Sequence, residues 1–480
     1  MTNRYLQGPF APIQQEYTLT DLEVTGTIPD HLDGRYLRNG PNPIGEIDPE
    51  TSHWFIGDGM VHGIRIRDGK AQWYRNRWVR SPKVAKQLGE TPPDGHYGLY
   101  PLGANTNVIG QAGRTFALIE GGGMNYELTD ELDTVGVCDF DGTLTAGYTA
   151  HPKRDPETGE LHAVSYNAYR GNKVQYSVIG VDGRARRTVD ITVAGSPMVH
   201  DFSLTERYIV IYDLPVTFDA PLAAAMTVPR GLRLPVRLML SALMGRVPIP
   251  DPIAARIQVQ KTSDRRFPYS WDRNYPARVG VMPREGGDAD VRWFDVEPCY
   301  VFHPMNAYDE GDTIVLDVVR HPKMFDRDHT GPNEGPATLD RWTVDLADGK
   351  VRESRFDDRG QEFPRVDERL VGKRHRYGYA PTSMEGLEGG DALLKHDFVR
   401  GDTQSRSFGA EKALGEFVFH PSAPDADEDD GVLMGYVYDR PTDHSELAIL
   451  DAQTLQDIAS VKLPHRVPAG FHGNWVPSLN

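Results

Sequence analysis

Asp430-Gly-Val-Leu-Met-Gly-Tyr-Val-Tyr-Asp439 pairs an Asp-Gly dipeptide with a short run of β-branched and aromatic residues. That combination marks a strand entered or left through a tight turn. Related runs recur at Arg207-Tyr-Ile-Val-Ile-Tyr-Asp213 and Thr313-Ile-Val-Leu-Asp-Val-Val319, each too short and too β-branched to favour helix. Asp-Gly occurs eight times, at Asp33, Asp58, Asp68, Asp94, Asp141, Asp182, Asp348 and Asp430, and each is read as a hairpin signal. The chain is therefore predicted to be all-β. Many short strands over 480 residues, with no Ser- or Pro-rich linker dividing them, suit one β-propeller better than a sandwich, although no clean blade-length repeat is visible.

Bulk properties narrow the class of function. With 39% hydrophobic and 25% charged residues the chain has the composition of a folded, water-soluble protein. Its formal charge of −17, from 69 acidic against 52 basic residues, opposes sequence-independent attraction to phosphate backbones, so no nucleic-acid partner is expected. Cys138 and Cys299 lack the number and spacing of a disulfide framework or a thiolate zinc cluster, which fits a cytoplasmic protein. No apolar signal segment opens the sequence, and no run is long enough to span a bilayer.

One segment departs from this pattern. The stretch 221–250 holds four arginines and no acid, among many leucines, methionines and alanines. Two readings stand: peripheral contact with a membrane interface, with Leu238 and Leu240 among the apolar contacts, and a helix packed on the propeller face. Its prolines argue against one long continuous helix. The acidic run 425–430 is read as a solvated loop, with calcium as the alternative.

Four histidines carry the chemistry. They lie in Ala150-His151-Pro-Lys153, Met198-Val-His200-Asp-Phe202, Val301-Phe-His303-Pro-Met305 and Gly470-Phe-His472-Gly-Asn-Trp475. Taken singly, any of the chain's 16 histidines is more often structural than a ligand. What sets these four apart is a shared setting of small, apolar or turn-forming neighbours. No local metal-finger spacing links them, but a propeller brings inner strands from distant parts of a chain to one axis. Neutral imidazole suits iron, zinc and copper, so four such rings could form a closed nitrogen site with little anionic charge.

The chain resembles the carotenoid cleavage oxygenase family over nearly its whole length. The resemblance rests on Arg35-Tyr-Leu-Arg-Asn-Gly-Pro-Asn-Pro43, His53-Trp-Phe-Ile-Gly-Asp-Gly-Met60 and the terminal Gly470-Phe-His-Gly-Asn-Trp475, which occur in the family's order. It implies a seven-bladed β-propeller with a helical and loop cap over one face, forming a single domain over 1–480. It further implies one Fe(II) per chain on His151, His200, His303 and His472. The family's three imidazole-holding glutamates match Glu120, Glu362 and Glu416, paired with His200, His303 and His472, and leave His151 without a carboxylate. Thr106, in Ala104-Asn-Thr-Asn107, matches a position whose methyl crowds a vacant iron site. The implied reaction is O2-dependent cleavage of a substrate C=C bond to two carbonyl products.

The family's stilbene-cleaving branch carries a lysine directly before the first of these glutamates. Here that position is Ile119, and an apolar side chain favours a carotenoid or apocarotenoid polyene over a phenol. Three other readings remain: a dioxygenase cleaving stilbenes or related phenylpropanoids, a non-catalytic propeller acting as a binding platform, and a zinc hydrolase. The last is disfavoured because catalytic zinc usually keeps three protein ligands. No dinucleotide fingerprint, Walker A motif or His-Glu-x-x-His is present.

Overall fold

The computed structural model describes residues 3–50, 52–95, 103–144, 147–249 and 267–478. Within them, seven antiparallel sheets each keep one edge on a common axis. In blade I, strands Gly34–Pro41, Gly59–Arg67 and Lys70–Trp78 are joined on the inside by Gly473–Pro477. Blade II starts at Asn107–Gln111, blade III at Lys153–Arg154, blade IV at Phe202–Leu204 and blade V at Tyr300–Glu310. Blade VI is built on Tyr377–Glu385, with Gln361 and Arg365 bridging to it as a broken inner strand. Blade VII is built on Gly431–Asp439, with Val418–Pro421 inside it and Val24–Gly26 added at its outer edge.

The ring is therefore closed twice by the chain's ends. Residues near the N-terminus finish blade VII before starting blade I, and the C-terminal strand becomes the innermost strand of blade I. Closure of this kind fastens the last blade to the first, while the blades keep their own outer edge strands. The opening sequence, Gly431–Asp439, is a central strand buried along almost its entire length, because sheets stack on both of its faces. Outer strands such as Ala185–Thr192 alternate between half-buried and exposed residues, as one-sided packing requires.

The Asp-Gly reading needs correction at several positions. Asp68-Gly69, Asp182-Gly183 and Asp348-Gly349 do lie in turns between adjacent strands of a blade. At the first, φ values of 52° and 66° give the doubly left-handed turn that hairpins favour. Asp33-Gly34, Asp58-Gly59 and Asp430-Gly431 instead lead into strands, and Asp141-Gly142 links blades II and III. At Gly59 the constraint is proximity, since an added Cβ would lie 1.9 Å from the carbonyl oxygen of Ala104.

The acidic run is more than a solvated loop. Glu428 accepts the backbone amides of Arg376 and Tyr377, and Asp429 pairs with buried Lys395 at 2.6 Å. These contacts fasten the loop to blade VI, and the calcium alternative gains no support from carboxylates already engaged in this way.

Over the cap face, the 221–250 segment forms Ala220–Thr227 and Arg233–Leu243, interrupted at Pro229; Pro250 lies outside the described residues. Leu240 is buried against Ala220, Ala223 and Ala224, so it holds the two helices together. Leu234 and Leu238 are 64% and 61% exposed, beside exposed Arg230, Arg237 and Arg246. The helix thus packs on one face and presents an apolar and basic face outward. No helix among the described residues is long and apolar enough to cross a membrane.

Replacing Gly59 by Ala forces its new methyl against the Ala104 carbonyl. The expected loss of stability is about 1–3 kcal/mol, to be read as a lowered denaturation midpoint at unchanged slope. A wild-type midpoint would mean that this strand entrance relaxes freely.

Candidate metal centre

Each blade delivers one residue to the axis at or close to the entrance of its inner strand. Going round from blade I these are His472, Thr106, His151, His200, His303, Glu362 and Glu416. His303 alone lies inside a regular strand, where register shifts around Pro304 break the ladder. Such irregularities re-aim a side chain. Glu120 arrives from the turn after Arg114–Leu118 in blade II.

The four imidazoles converge. His151, His200, His303 and His472 are only 4–5% exposed, and one ring nitrogen from each lies within 4.8 Å of the others. The carboxylates decide which nitrogen that is. His200 Nδ1 lies 2.9 Å from Glu120, His303 Nδ1 lies 2.6 Å from Glu362, and His472 Nδ1 lies 3.0 Å from Glu416. In each case the imidazole N–H donates and the carboxylate accepts, leaving the Nε2 lone pair for the axis.

Nε2 of His200 and Nε2 of His303 are 3.2 Å apart. Two lone pairs at that distance repel unless something positive lies between or beside them. The Glu120 carboxylate outweighs burial and raises the pKa of His200, so a proton is one solution and a cation is the other. Nε2 of His151 is buried with no partner among the described residues. Burial and the surrounding imidazoles hold the pKa of His151 well below the usual histidine value, which favours a free lone pair. The same burial holds His303 down to about 3 despite Glu362. An orphaned buried nitrogen and a cluster of neutral donors make a site that could hold a metal ion.

Two supporting residues were not picked out from the sequence. His321 Nε2 donates to the second oxygen of Glu362 at 2.8 Å, so one carboxylate fixes two imidazoles. Those imidazoles hold Glu362 well below the usual carboxylate range, against the effect of burial. Arg365 lies 3.4 Å from Glu416 and, with His472, pulls its pKa to about 2 against burial. Arg365 was legible in principle, three residues beyond Glu362 in the quoted motif. His321 had no sequence signal, because its contact joins the end of the Thr313–His321 strand in blade V to Glu362 at the entrance of blade VI. Between them, Phe363 adopts a left-handed φ of 52°, rare for a bulky residue, and its ring stacks on His303.

Two cavities reach the cluster from opposite sides. A small one of about 110 Å³ is lined by Phe55, Phe267, Phe471, Thr106 and Ile119, and touches His200, His303 and His472. Among the described residues no lysine or arginine lines it. The Thr106 hydroxyl donates to Asn105 at 2.9 Å. The other is an axial channel of about 600 Å³ between the inner strands, of mixed polarity, with Arg35, Arg65, Lys153, Arg154 and Arg365 in its lining, reaching His151, His303 and His472.

The family model described as retinal pigment epithelial membrane protein matches residues 10–477. A carotenoid cleavage oxygenase of Mycobacterium tuberculosis is 58% identical, with 99% of this chain and 98% of that protein covered. Among solved structures, the lignostilbene dioxygenase of Pseudomonas brassicacearum superposes with a TM-score of 0.81 at 26% identity, covering 99% and 98% of the two chains. A cobalt-substituted apocarotenoid oxygenase of Synechocystis does so with a TM-score of 0.79 at 27% identity, covering 97% of each.

Replacing Glu362 by Ala strands two buried imidazole N–H groups. It should destabilise the protein by about 1–3 kcal/mol for each donor left without an acceptor, measured by urea unfolding; an unchanged midpoint would show that His303 and His321 find other acceptors. Glu416 has a depressed folded pKa, so its contribution is full above its unfolded value of about 4.3. It is lost as pH falls through about 2. Glu416→Gln should flatten that acid limb of the stability curve in the metal-free protein.

Proposed function

Since the chain belongs to the carotenoid cleavage oxygenase family, whose model is described as retinal pigment epithelial membrane protein, we propose that it is a non-haem Fe(II) dioxygenase that cleaves one C=C bond of a carotenoid or apocarotenoid. O2 is the second substrate and two carbonyl compounds are the products. The observation that carries this reading is four inward-facing imidazoles beside an apolar cavity, three of them oriented by carboxylates.

The residues divide the work. His151, His200, His303 and His472 would hold the iron, and Glu120, Glu362 and Glu416 fix three rings and raise their basicity. Bound Fe(II) would supply the O2-activating redox chemistry. One O2 and one C=C bond balance two carbonyl groups, with the electrons coming from the cleaved double bond, so no external reductant is required. The protein's own contribution is to bind and orient the polyene and to exclude water. Phe55, Phe267 and Phe471 form an aromatic wall for a conjugated chain. Thr106 would crowd one side of the metal.

Ile119 supports a polyene over a hydroxystilbene. It stands in the same small cavity as Thr106 and Glu120, with no cationic side chain among the described lining residues to engage a phenolate. The exposed Leu234 and Leu238 with neighbouring arginines support uptake of lipid-dissolved substrate at an interface carrying anionic headgroups.

Aerobic incubation of the Fe(II)-loaded protein with carotenoids, apocarotenals and hydroxystilbenes, with products identified by mass, tests the activity. Paired aldehydes or ketones from a polyene are expected. Cleavage of stilbenes alone would move the substrate to phenylpropanoids, inertness toward every compound with iron bound would point to another substrate or to isomerase chemistry, and a chain without tightly bound iron would favour the non-catalytic platform. His303→Ala should lose bound iron and cleavage together; full activity at normal iron content would remove His303 from the centre. Leu234→Ala combined with Leu238→Ala should weaken liposome binding by up to about a thousandfold, from roughly 2 kcal/mol of apolar contact per leucine, while iron content stays unchanged. Equal binding to liposomes would leave this face as ordinary surface.

A further inference from the structure

Three of the four ring Nδ1 atoms have a carboxylate at hydrogen-bond distance, and His151 does not. The nearest carboxylate oxygen to its Nδ1 is Oδ2 of Asp201, at 3.6 Å. Asp201 follows His200 directly in the chain and its side chain is only 2% exposed. It is held from two sides. Oδ1 accepts the amide of Phe202 at 2.7 Å, and Oδ2 accepts Lys153 Nζ at 2.9 Å. Lys153 in turn lies two residues beyond His151.

This ion pair therefore ties the inner-strand entrance of blade III to that of blade IV, where His151 and His200 face each other with ring centroids 4.4 Å apart. The Asp201 oxygen that faces His151 is the one that Lys153 holds. Its carboxylate has little freedom to turn away, because rotation would break the bond to the Phe202 amide or strand the ammonium group. At 3.6 Å the contact is longer than a direct hydrogen bond, so Asp201 faces the Nδ1 side of the ring as a fixed buried charge.

We propose that Asp201 is the positioning residue for His151, and that Lys153 anchors Asp201 at the distance from which it orients the ring. The fourth imidazole thus has a carboxylate partner after all, supplied by the residue next to a neighbouring histidine and partly neutralised by a lysine. Partial neutralisation limits the negative charge at the centre. Glu120, Glu362 and Glu416 already supply three carboxylates, with Arg365 beside only the last. It also makes His151 the least basic of the four donors, because its N–H faces an oxygen shared with an ammonium group.

The inference rests on the reading that these histidines hold the metal, and the test separates the two. Fe(II) alone is the probe, with affinity measured anaerobically by competition against a chelator, and thermal unfolding of the metal-free proteins reports folding. Asp201→Asn should weaken iron binding by about 10–100-fold. Because that change strands Lys153, the deciding protein is the double variant Asp201→Asn with Lys153→Met, which removes both charges. It should remain about as weak as the single variant, while Lys153→Met alone, which keeps the carboxylate, should bind iron more tightly than either. A double variant with wild-type affinity would show that Asp201 merely neutralises Lys153 and would overturn the proposal. So would a Lys153→Met protein as weak as the double variant, because the ion-pair clip and not the carboxylate would then set the ring. A wild-type chain that takes up no Fe(II) would sink the metal reading itself, and this inference with it.

Discussion

Neutral imidazole nitrogens facing one another on an axis are unfavourable neighbours without a proton or a cation between them. The 3.2 Å approach of His200 and His303 Nε2 is the sharpest instance. The carboxylates behind the rings make that arrangement unavoidable. Each takes the Nδ1 hydrogen and so fixes the tautomer, forcing the lone pair inward. The propeller supplies the convergence, the glutamates supply the polarity, and a positive ion is what the combination fits.

The same constraint explains why the buried carboxylates around the site are so heavily partnered. A carboxylate far from water is costly unless paired and hydrogen-bonded. Glu362 meets this by serving His303, His321 and the amide of Phe363 together. Glu416 does so through His472, Arg365 and the amide of Gly473. These networks join blades V, VI, VII and I, so the ring closure that brings the C-terminal strand into blade I also sets the geometry of His472. Folding and site assembly are one event here, because a blade displaced along the axis would carry its axial residue with it.

The contrast between the two cavities divides the chemistry in space. An apolar, aromatic pocket meets one side of the histidines, and a channel of mixed polarity rich in arginine meets the other. A polyene partitions to the first by the hydrophobic effect. The second keeps the buried acids Asp201 and Glu416 in ion pairs, which limits the negative charge that reaches the centre.

Much of this was written locally. Short β-branched runs such as Gly431–Asp439 announced strands, and the small, turn-forming settings of four histidines marked them out before any contact was known. The motifs around Glu120, Glu362 and Glu416 were legible through resemblance. Other features had no local signature. Asp58-Gly59 looks like a hairpin turn but leads into a strand, because Asp-Gly encodes a left-handed preference and not the direction of the next strand. Leu238 and Leu240 are two residues apart in one apolar run, yet one is exposed and the other buried, since helix rotation against Ala220, Ala223 and Ala224 decides the face. His321 and Asp201 acquire their partners only when strands far apart in sequence stack around the axis. Sequence by itself determined which segments extend, turn and bear imidazoles, because those preferences are short-range. Tertiary structure alone decided which nitrogen faces inward and which carboxylate holds it, because both depend on distances across blades that no local pattern encodes.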